Sequence, residues 1–283
     1  MKENITPKFH IKLSRKNKII LTLSVILLLF IVFAFAFYNL KTSNLIKIKE
    51  EKQLKVGYIP YYDITAKDIS NQQIKGFLVD LLKKVAKNLD IEKVAFYETD
   101  WQNFGIGLKN HKYDLSIAGT FKTPERERIV AFTDPIFYLG NGALVKKDDY
   151  RFSSIQDFNK PDITLAVVIG EQGYEYAKKY LTKAKLKVIT GPDLSNAMLE
   201  VQTGRADAAL SDQYIIKRYK AKHPNTKDAL EKNPYFVLPI CWAIRKEDKE
   251  WRQTLNQELK KLKDSGWIEQ LKKQYPQIPF APQ

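Results

Sequence analysis

The spacing of apolar residues changes several times between residues 54 and 118, and each change predicts a different element. Residues 54–57, 94–97 and 114–118 are short apolar runs typical of buried strands. Between the first two runs, apolar residues at 77, 78, 81, 82, 85 and 89 recur at helical spacing, and residues 101–110 fit a shorter helix. Strands that alternate with helices predict a mostly parallel α/β sheet.

The same order of elements returns in the second half of the chain. Residues 163–168, 186–189 and 207–210 predict strands, and residues 172–181 and 194–203 predict helices. A repeat of this size predicts two similar lobes, although two ordinary α/β units also reach this likeness by chance. Single residues repeat at an offset of 93 positions, so that Leu108, Lys112, Asp114 and Gly119 match Val201, Arg205, Asp207 and Asp212.

The C-terminal residues belong to neither copy of the repeat. Residues 240–244 predict a strand, and Trp251 begins a helical pattern that breaks at Gly266. This segment can pack back on the first lobe, so that the chain crosses between the lobes twice, near 135–139 and 237–239. We therefore expect lobe 1 to comprise residues 54–138 and 238–283, and lobe 2 to comprise residues 139–237.

Residues 19–40 contain no charged side chain. At a helical rise of about 1.5 Å per residue they span about 33 Å, enough to cross a bilayer. Residues 1–18 carry six Lys or Arg against one Glu, which predicts a cytoplasmic basic tail and export of the rest of the chain. A cleaved signal peptide is the alternative, but Phe35 and Phe37 are bulky for a cleavage site. We expect an uncleaved membrane anchor at 19–40, a stalk at 41–53, and a binding domain on the periplasmic or extracellular face.

The net charge of +15 is not concentrated in a dense basic block. Residues 1–53 account for +7 of it, and most later lysines alternate with Asp and Glu along the predicted helices. That pattern is typical of a solvated surface, because a nucleic-acid-binding protein clusters its basic residues on one face. We therefore expect no nucleic-acid partner.

The residues that usually carry catalysis or bind metals are few. The three histidines lie in the predicted tail or at predicted surface positions. The single Cys241 lies in an apolar strand, where a cysteine more often packs than reacts, and it rules out an internal disulfide. No zinc-ligand spacing and no phosphate-binding glycine loop occurs. We expect no metal, no cofactor and no catalytic residue.

Candidate binding residues lie beyond the carboxyl ends of two predicted strands, where open α/β sheets bind their ligands. Those ends present Gly119, Thr120 and Phe121 from the first lobe and Asp212 from the second, and Arg126 follows in the first turn of a helix. A guanidinium on one lobe and a carboxylate on the other suit a zwitterion. Spacing alone leaves two alternatives open, a salt bridge of Arg126 with a neighbouring glutamate of its own helix and a simple N-cap role for Asp212.

Seven stretches between residues 54 and 275 resemble, in the right order, family 3 of the bacterial extracellular solute-binding proteins. Each stretch is a weak signal alone, and their common order makes the resemblance specific. It implies an α/β, two-lobed periplasmic-binding-protein type II fold, preceded here by one transmembrane helix. The stretches are 54–57 (LKVG), 76–81 (GFLVDL), 113–119 (YDLSIAG), 123–126 (TPER), 131–133 (AFT), 204–208 (GRADA) and 266–268 (GWI).

The resemblance implies roles for individual residues. Arg126 would bind the α-carboxylate of an amino acid, and Asp212 its α-ammonium. Tyr62 and Trp101 would form aromatic walls, and the amides of the segment from Gly170 to Gly173 would help to hold the carboxylate.

The chain also departs from the family pattern at three positions. Phe121 occupies a position that is usually Ser or Thr and binds the carboxylate, although the neighbouring Thr120 can substitute for it. Ile59 replaces a frequent acid at the end of the first strand, and Ile169 stands where a basic residue can occur. These changes make the pocket more aromatic and leave the ligand unidentified.

The resemblance implies a monomer that binds a small polar solute, most of all an amino acid, and delivers it to the permease of an ABC transporter. A sensing domain that reports ligand occupancy to a membrane partner is the alternative. A dehydratase-type enzyme on the same fold is a further one, but the sequence offers no evident general acid or base for it.

Overall fold

The structure is a computed structural model that describes residues 15–41 and 43–282. Its described residues form an N-terminal helix and nine further helices that belong to an α/β unit. A short 3-10 helix also occurs at Ile155–Phe158. The helices are α1 (Arg15–Lys41), α2 (Asn44–Glu51), α3 (Phe77–Asn88), α4 (Phe104–Lys109), α5 (Pro124–Glu127), α6 (Gln172–Tyr180), α7 (Ser195–Gln202), α8 (Gln213–Lys222), α9 (Lys249–Asp264) and α10 (Trp267–Lys273).

The strands of the described residues alternate with these helices through most of the α/β unit. They are β1 (Gln53–Tyr58), β2 (Ala66–Lys67), β3 (Ile74–Lys75), β4 (Lys93–Glu98), β5 (Leu115–Phe121), β6 (Ala131–Phe132), β7 (Phe137–Lys146), β8 (Thr164–Val168), β9 (Lys185–Ile189), β10 (Ala208–Asp212), β11 (Thr226–Asp228) and β12 (Phe236–Ile244).

Ten of these strands form one sheet with two parallel regions. The order is β4-β1-β5-β12-β7-β10-β8-β9, with β6 paired to β12 and β11 paired to β7. In the first half, which we define as β1, β4, β5 and helices α3 to α5, β1 lies parallel to β4 and β5. In the second half, defined as β8, β9, β10 and helices α6 to α8, β8 lies parallel to β9 and β10. The antiparallel strands β7 and β12 join the halves, with Leu139 opposite Leu238.

The predicted repeat recurs in the hydrogen bonds of the two halves. Asp114 accepts a bond from the Lys55 amide (3.2 Å), and the backbone N–H of Asp114 donates to the Lys55 carbonyl (2.8 Å). Asp207, at the offset of 93, makes the same two bonds with Thr164, at 2.8 and 2.9 Å. Each aspartate therefore fixes the start of the first strand of its half, which is why the residue recurs.

The C-terminal segment packs on the first half, as the sequence predicts. Strand β12 pairs with β5, placing Ile240 opposite Phe121 and Cys241 opposite Thr120. Helices α9 and α10 pack against α3, and the hydroxyl of Tyr275 donates to Asp80 (2.6 Å). Cys241 is fully buried in this region, in agreement with a packing role.

Helix α1 forms a unit of its own, Met1–Ser43, of which the structure describes residues 15–41 and 43. Within it, Arg15–Phe33 has a mean hydropathy of 2.1 and is long and apolar enough to cross a membrane. The first fourteen residues of the predicted cytoplasmic tail lie outside the described residues. The apolar helix expected from the sequence is therefore present, beginning before residue 19.

The predicted stalk at 41–53 differs from the structure. Residues Asn44–Glu51 form helix α2, whose Ile48 is buried, and the Asn44 amide donates to Asp248 at 3.1 Å. The lysines and glutamates of this segment are typical of a solvated stalk. Its apolar residues at 45 and 48, however, lie on one helical face and pack against the core. This helix therefore belongs to the compact unit Asn44–Gln283.

Candidate ligand-binding cleft

Asp212 lies at the end of β10 and is 1% exposed. One carboxylate oxygen accepts bonds from the amides of Tyr214 (2.9 Å) and Ile215 (3.0 Å), so the residue does cap helix α8. The other oxygen accepts a bond from the hydroxyl of Tyr61 (2.6 Å), which belongs to the first half. Burial raises the pKa of Asp212 to about 6, against the lowering effect of these hydrogen bonds.

Arg126 crosses from the first half to the second. The hydroxyl of Thr123 caps the helix start by accepting from the Arg126 amide, which fixes the side chain in the first turn of α5. The guanidinium is 4% exposed and donates to the carbonyls of Phe121 (3.1 Å) and Gly170 (2.8 Å). Its Nε pairs with Glu175 at 3.3 Å, so the ion pair forms with the second half and not within its own helix.

The segment that opens α6 carries an acid at its N-cap. The Glu171 carboxylate is buried, and it accepts a bond from the amide of Gly173 at 2.6 Å. The amides of this segment are predicted to hold a ligand carboxylate. In the structure one of them, the Gly173 amide, already donates to the carboxylate of Glu171. Gly170 has φ +78°, and a Cβ there would lie 2.6 Å from the backbone nitrogen of Gln102. The two halves therefore meet here backbone to backbone.

Two acids of this segment have a raised pKa. Burial, followed by repulsion from Asp212, raises the pKa of Glu171 to about 8. Burial also raises the pKa of Glu175, although the Arg126 guanidinium opposes the shift. Desolvation is therefore the main cause in both cases, and the second half contributes an excess of buried carboxylates to the cleft.

Aromatic side chains surround this network. The indole of Trp101 is 5% exposed, packs edge-to-face on Tyr61 at 5.6 Å between ring centroids, and donates to the Pro192 carbonyl at 2.9 Å. Tyr62 is 37% exposed and has φ +37°, and the guanidinium of Arg218 lies 4.3 Å from its ring centroid. Tyr61 thus lies between Trp101 and Asp212, while Tyr62 faces α8.

The end of β5 supplies the remaining predicted residues. Gly119 has φ +67°, and a Cβ there would lie 3.2 Å from the Tyr61 ring. Thr120 is fully buried, and its hydroxyl has no hydrogen-bond partner among the described residues, as is also true of Ser211 beside Asp212. Phe121 contributes its carbonyl to Arg126.

A second set of contacts joins the halves near the surface. Asp63 accepts bonds from the hydroxyl of Tyr214 (2.5 Å) and from Arg218 (2.6 Å). Glu125 pairs with Lys179 at 2.7 Å. These contacts place the halves face to face around the buried network.

The structure brings most of the predicted site residues into one region. Four of them approach it from the first half, namely Arg126, Gly119, Thr120 and Phe121. Three approach it from the second half, namely Gly170, Gly173 and Asp212.

Sequence reasoning missed Tyr61, Glu171 and Glu175. An acid directly after Gly170 was a visible signal for Glu171, whereas nothing in the sequence distinguished Tyr61 from Tyr62.

Comparison with known proteins places this geometry in context. A model of the family described as "Bacterial extracellular solute-binding proteins, family 3" matches residues 54–277. ABC transporter arginine-binding protein 1 of Escherichia coli is 28% identical over 77% of this chain and 86% of its own length. ABC transporter glutamine-binding protein GlnH of Bacillus subtilis is 27% identical over 74% of this chain and 75% of its own length.

A solved structure extends the likeness to three dimensions. The ancestral amino acid-binding protein AncCDT-1, a precursor of cyclohexadienyl dehydratase, superposes with a TM-score of 0.72 at 34% identity. The match covers 82% of this chain and 99% of that one. The mixed α/β topology described above is therefore the type II periplasmic-binding fold.

Proposed function

Because this chain belongs to the bacterial extracellular solute-binding proteins, family 3, we propose that it binds a small polar solute of the amino-acid class outside the cytoplasm. In this proposal the bound solute passes to the permease of an ABC transporter. Curated relatives named for arginine and glutamine binding support the ligand class.

One observation supports the proposal most directly, namely that a buried cation from one half and a buried anion from the other both lie near the Glu171 carboxylate. Arg126 comes from the first half and Asp212 from the second, and both are almost fully buried. Within the described residues, the guanidinium bonds three of its five N–H groups, leaving one on each terminal nitrogen for a ligand oxygen. Asp212 is the acceptor suited to an ammonium.

The other predicted residues shape the same site. Trp101 and Tyr62 are proposed as walls. Gly170 and Gly173 allow the chain to approach closely where a side chain would collide, and Gly119 adopts a positive φ beside the Tyr61 ring. Thr120 offers the buried hydroxyl that Phe121 lacks.

Binding by closure requires two lobes that move. We assign lobe 1 to residues 54–138 and 238–283 and lobe 2 to residues 139–237. The paired strands β7 and β12 are then the two crossings, and a small change in their twist opens or closes the cleft. The contacts between the halves described above support this assignment.

Helix α1 is proposed as a membrane anchor that keeps the binding domain near its permease. Its length and apolar composition support an anchor. Cell fractionation tests this, because an anchored protein stays with membranes after a high-salt wash. Recovery of a soluble protein that lacks residues 1–36 would identify a signal sequence instead.

The family is one of solute binders, and we propose that this chain acts by binding alone. The buried acids of the cleft are then ligand contacts or closure contacts, with no catalytic role.

Calorimetry on the full-length protein in detergent, with a panel of amino acids, tests the proposal. Arg126→Ala and Asp212→Ala should each weaken binding by tens- to thousands-fold, since removing one partner of a buried charged contact costs about 2 to 5 kcal/mol. Arg205→Ala is the matched control, because Arg205 pairs with Glu200 on the outer surface. A protein that binds none of the amino acids, or keeps full affinity in both variants, would refute the proposal.

A further inference from the structure

The charges in the cleft do not balance. Three ion pairs cross it, Arg126 with Glu175 (3.3 Å), Arg218 with Asp63 (2.6 Å) and Lys179 with Glu125 (2.7 Å). Among the described residues, Glu171 and Asp212 have no cationic side chain within ion-pair distance. The cleft thus holds five carboxylates and three cationic groups, and the two unpaired acids are the most deeply buried ones.

Such an arrangement is costly for the free protein. Glu171 is 3% exposed and Asp212 is 1% exposed, and a buried carboxylate without a counter-ion is unfavourable even when it is hydrogen-bonded. Glu171 accepts from one backbone amide, and Asp212 from two amides and the Tyr61 hydroxyl, but these donors are neutral. Their mutual repulsion contributes to a raised pKa for Glu171. A group of positive charge in the cleft would relieve both acids.

The same contacts disfavour a negative group at the start of α6. The Gly173 amide, which would serve a ligand carboxylate, donates to Glu171 at 2.6 Å. An anion placed there would face the Glu171 carboxylate and would find the Gly173 amide already taken. The ligand carboxylate is therefore limited to the side of Arg126, and the region of Glu171 and Asp212 is left to a cation.

We propose that Glu171 and Asp212 together bind a positively charged group of the ligand, and that Glu171 makes the site selective for solutes of net positive charge. The proposal rests on the amino-acid-class function above and names its ligands as basic amino acids or the corresponding amines. Glu171 is then the residue that determines specificity, while Arg126 accommodates a carboxylate where the ligand has one.

Pairs of ligands that differ in one charge test selectivity directly. Arginine and citrulline have nearly the same shape, and lysine and Nε-acetyl-lysine differ in one ammonium group. Calorimetry on the full-length protein at pH 8 should give at least tenfold tighter binding for a cationic member than for its neutral partner. Agmatine, which is arginine without its carboxylate, shows whether the cation alone suffices.

Glu171→Gln removes the charge while keeping an oxygen that can accept from Gly173. We expect it to remove the preference for the cationic member of each pair, and to raise the melting temperature of the free protein at pH 8 because a buried charge is lost. A merely structural role would lower the melting temperature and would not change the preference. Asp228→Asn is the matched control, because Asp228 is also a buried carboxylate bound by backbone amides, and its partners Ala143, Leu230 and Gln213 all belong to residues 139–237.

Proton release provides an independent readout. A cation that binds beside Glu171 favours the ionised carboxylate, so binding at pH 7 should release protons and affinity should rise between pH 6 and pH 8. Buffers of different ionisation enthalpy measure this release by calorimetry, and Glu171→Gln should reduce it. The charged and titratable groups that face Glu171 are Asp212, Arg126, Glu175, Tyr61 and Tyr235. The Glu171→Gln variant separates the protons released by Glu171 from those released by these groups.

The outcomes separate this inference from the function it rests on. Equal affinity for arginine and citrulline, or an unchanged preference in Glu171→Gln, overturns the inference and leaves the proposed function standing. Binding of agmatine without binding of any amino acid refutes the amino-acid class and supports the selectivity for cations. Absence of binding by every amino acid and amine overturns both.

Discussion

The two halves of the sheet share a framework and differ in the chemistry of their cleft-facing ends. Asp114 and Asp207 bond the first strand of their own half in the same way, at positions 93 residues apart. At the other end of the following strands, the first half presents Gly119 and then Arg126, whereas the second half presents Asp212. The starts of the strands are thus alike, and their ends are not.

This difference suits the proposed binding site between two repeated units. If the strand ends matched, the halves would face each other with like groups, and like charges repel. Among the buried groups the first half contributes the Arg126 guanidinium and the second contributes the Glu171 and Asp212 carboxylates, so the halves attract and enclose a polar region. The framework residues hold each half, and in the proposed function the divergent ends bind the ligand.

The largest effect is expected at the two framework aspartates, Asp114 and Asp207, whose arginine partners differ in burial. Asp114 pairs with Arg245, whose side chain is 1% exposed, while Asp207 pairs with Arg151, whose side chain is 50% exposed. Asp114→Ala should lower the free energy of unfolding by about 2 to 4 kcal/mol, because it removes a partner of a buried charge and a backbone contact. Asp207→Ala should cost about 1 kcal/mol, since solvent compensates an exposed arginine.

Urea denaturation of both variants measures this difference. The m-value should stay constant if the change lies in stability alone. Equal losses in the two variants would contradict the comparison, because they would show that the repeat is supported equally in both halves.

A smaller effect is expected where the backbones of the halves meet. Gly170 has φ +78°, and a Cβ there would lie 2.6 Å from the Gln102 nitrogen and 2.7 Å from the Trp101 carbonyl carbon. Gly170→Ala should weaken ligand binding at least tenfold, because backbone atoms cannot move aside and closure would remain incomplete. Calorimetry measures the loss.

Gly191→Ala is the matched control for that change. Gly191 has φ +95°, but a Cβ there would meet no described atom within 4 Å. Both substitutions carry the strain of a left-handed backbone, about 1 to 2 kcal/mol, and only the first blocks the approach of the halves. Similar affinity losses in the two variants would mean that strain, and not contact between the halves, explains the result.

Much of the fold could be predicted from apolar spacing because the elements bury one face each. The strands around residues 54, 94 and 114, and their counterparts in the second half, appear within a few residues of their expected places. Helix α2 is an instructive exception, since it has few apolar residues in a lysine-rich segment and its packing depends on the distant α9. Local patterns cannot report such a contact.

The site was predicted less completely for a physical reason. Arg126 and Asp212 follow strand ends and belong to recognisable motifs, so their neighbourhood could be inferred. The partners they meet come from the other half, as Glu175 and Tyr61 do. Such pairings depend on how the halves face each other, which residue spacing within one half does not determine.

The smallest effect is expected at the rim of the cleft, where the contact between the halves is partly solvated. Arg218 bonds Asp63 at 2.6 Å with both side chains about one-third exposed (32% each), and its guanidinium lies 4.3 Å from the Tyr62 ring centroid. A partly exposed pair with a cation–π contact contributes about 0.5 to 1 kcal/mol, so Arg218→Ala should weaken ligand binding about two- to fivefold, mainly through faster dissociation. Raising the salt concentration should weaken wild-type binding and affect the variant less, because the screened pair is already absent.

Stopped-flow dissociation rates at two salt concentrations measure both effects, and Arg151→Ala is the control, since its partners Asp149 and Asp207 lie away from the cleft. An equal loss in that control, or an unchanged salt dependence in Arg218→Ala, would show that the rim does not hold the halves together and that the buried network alone does so.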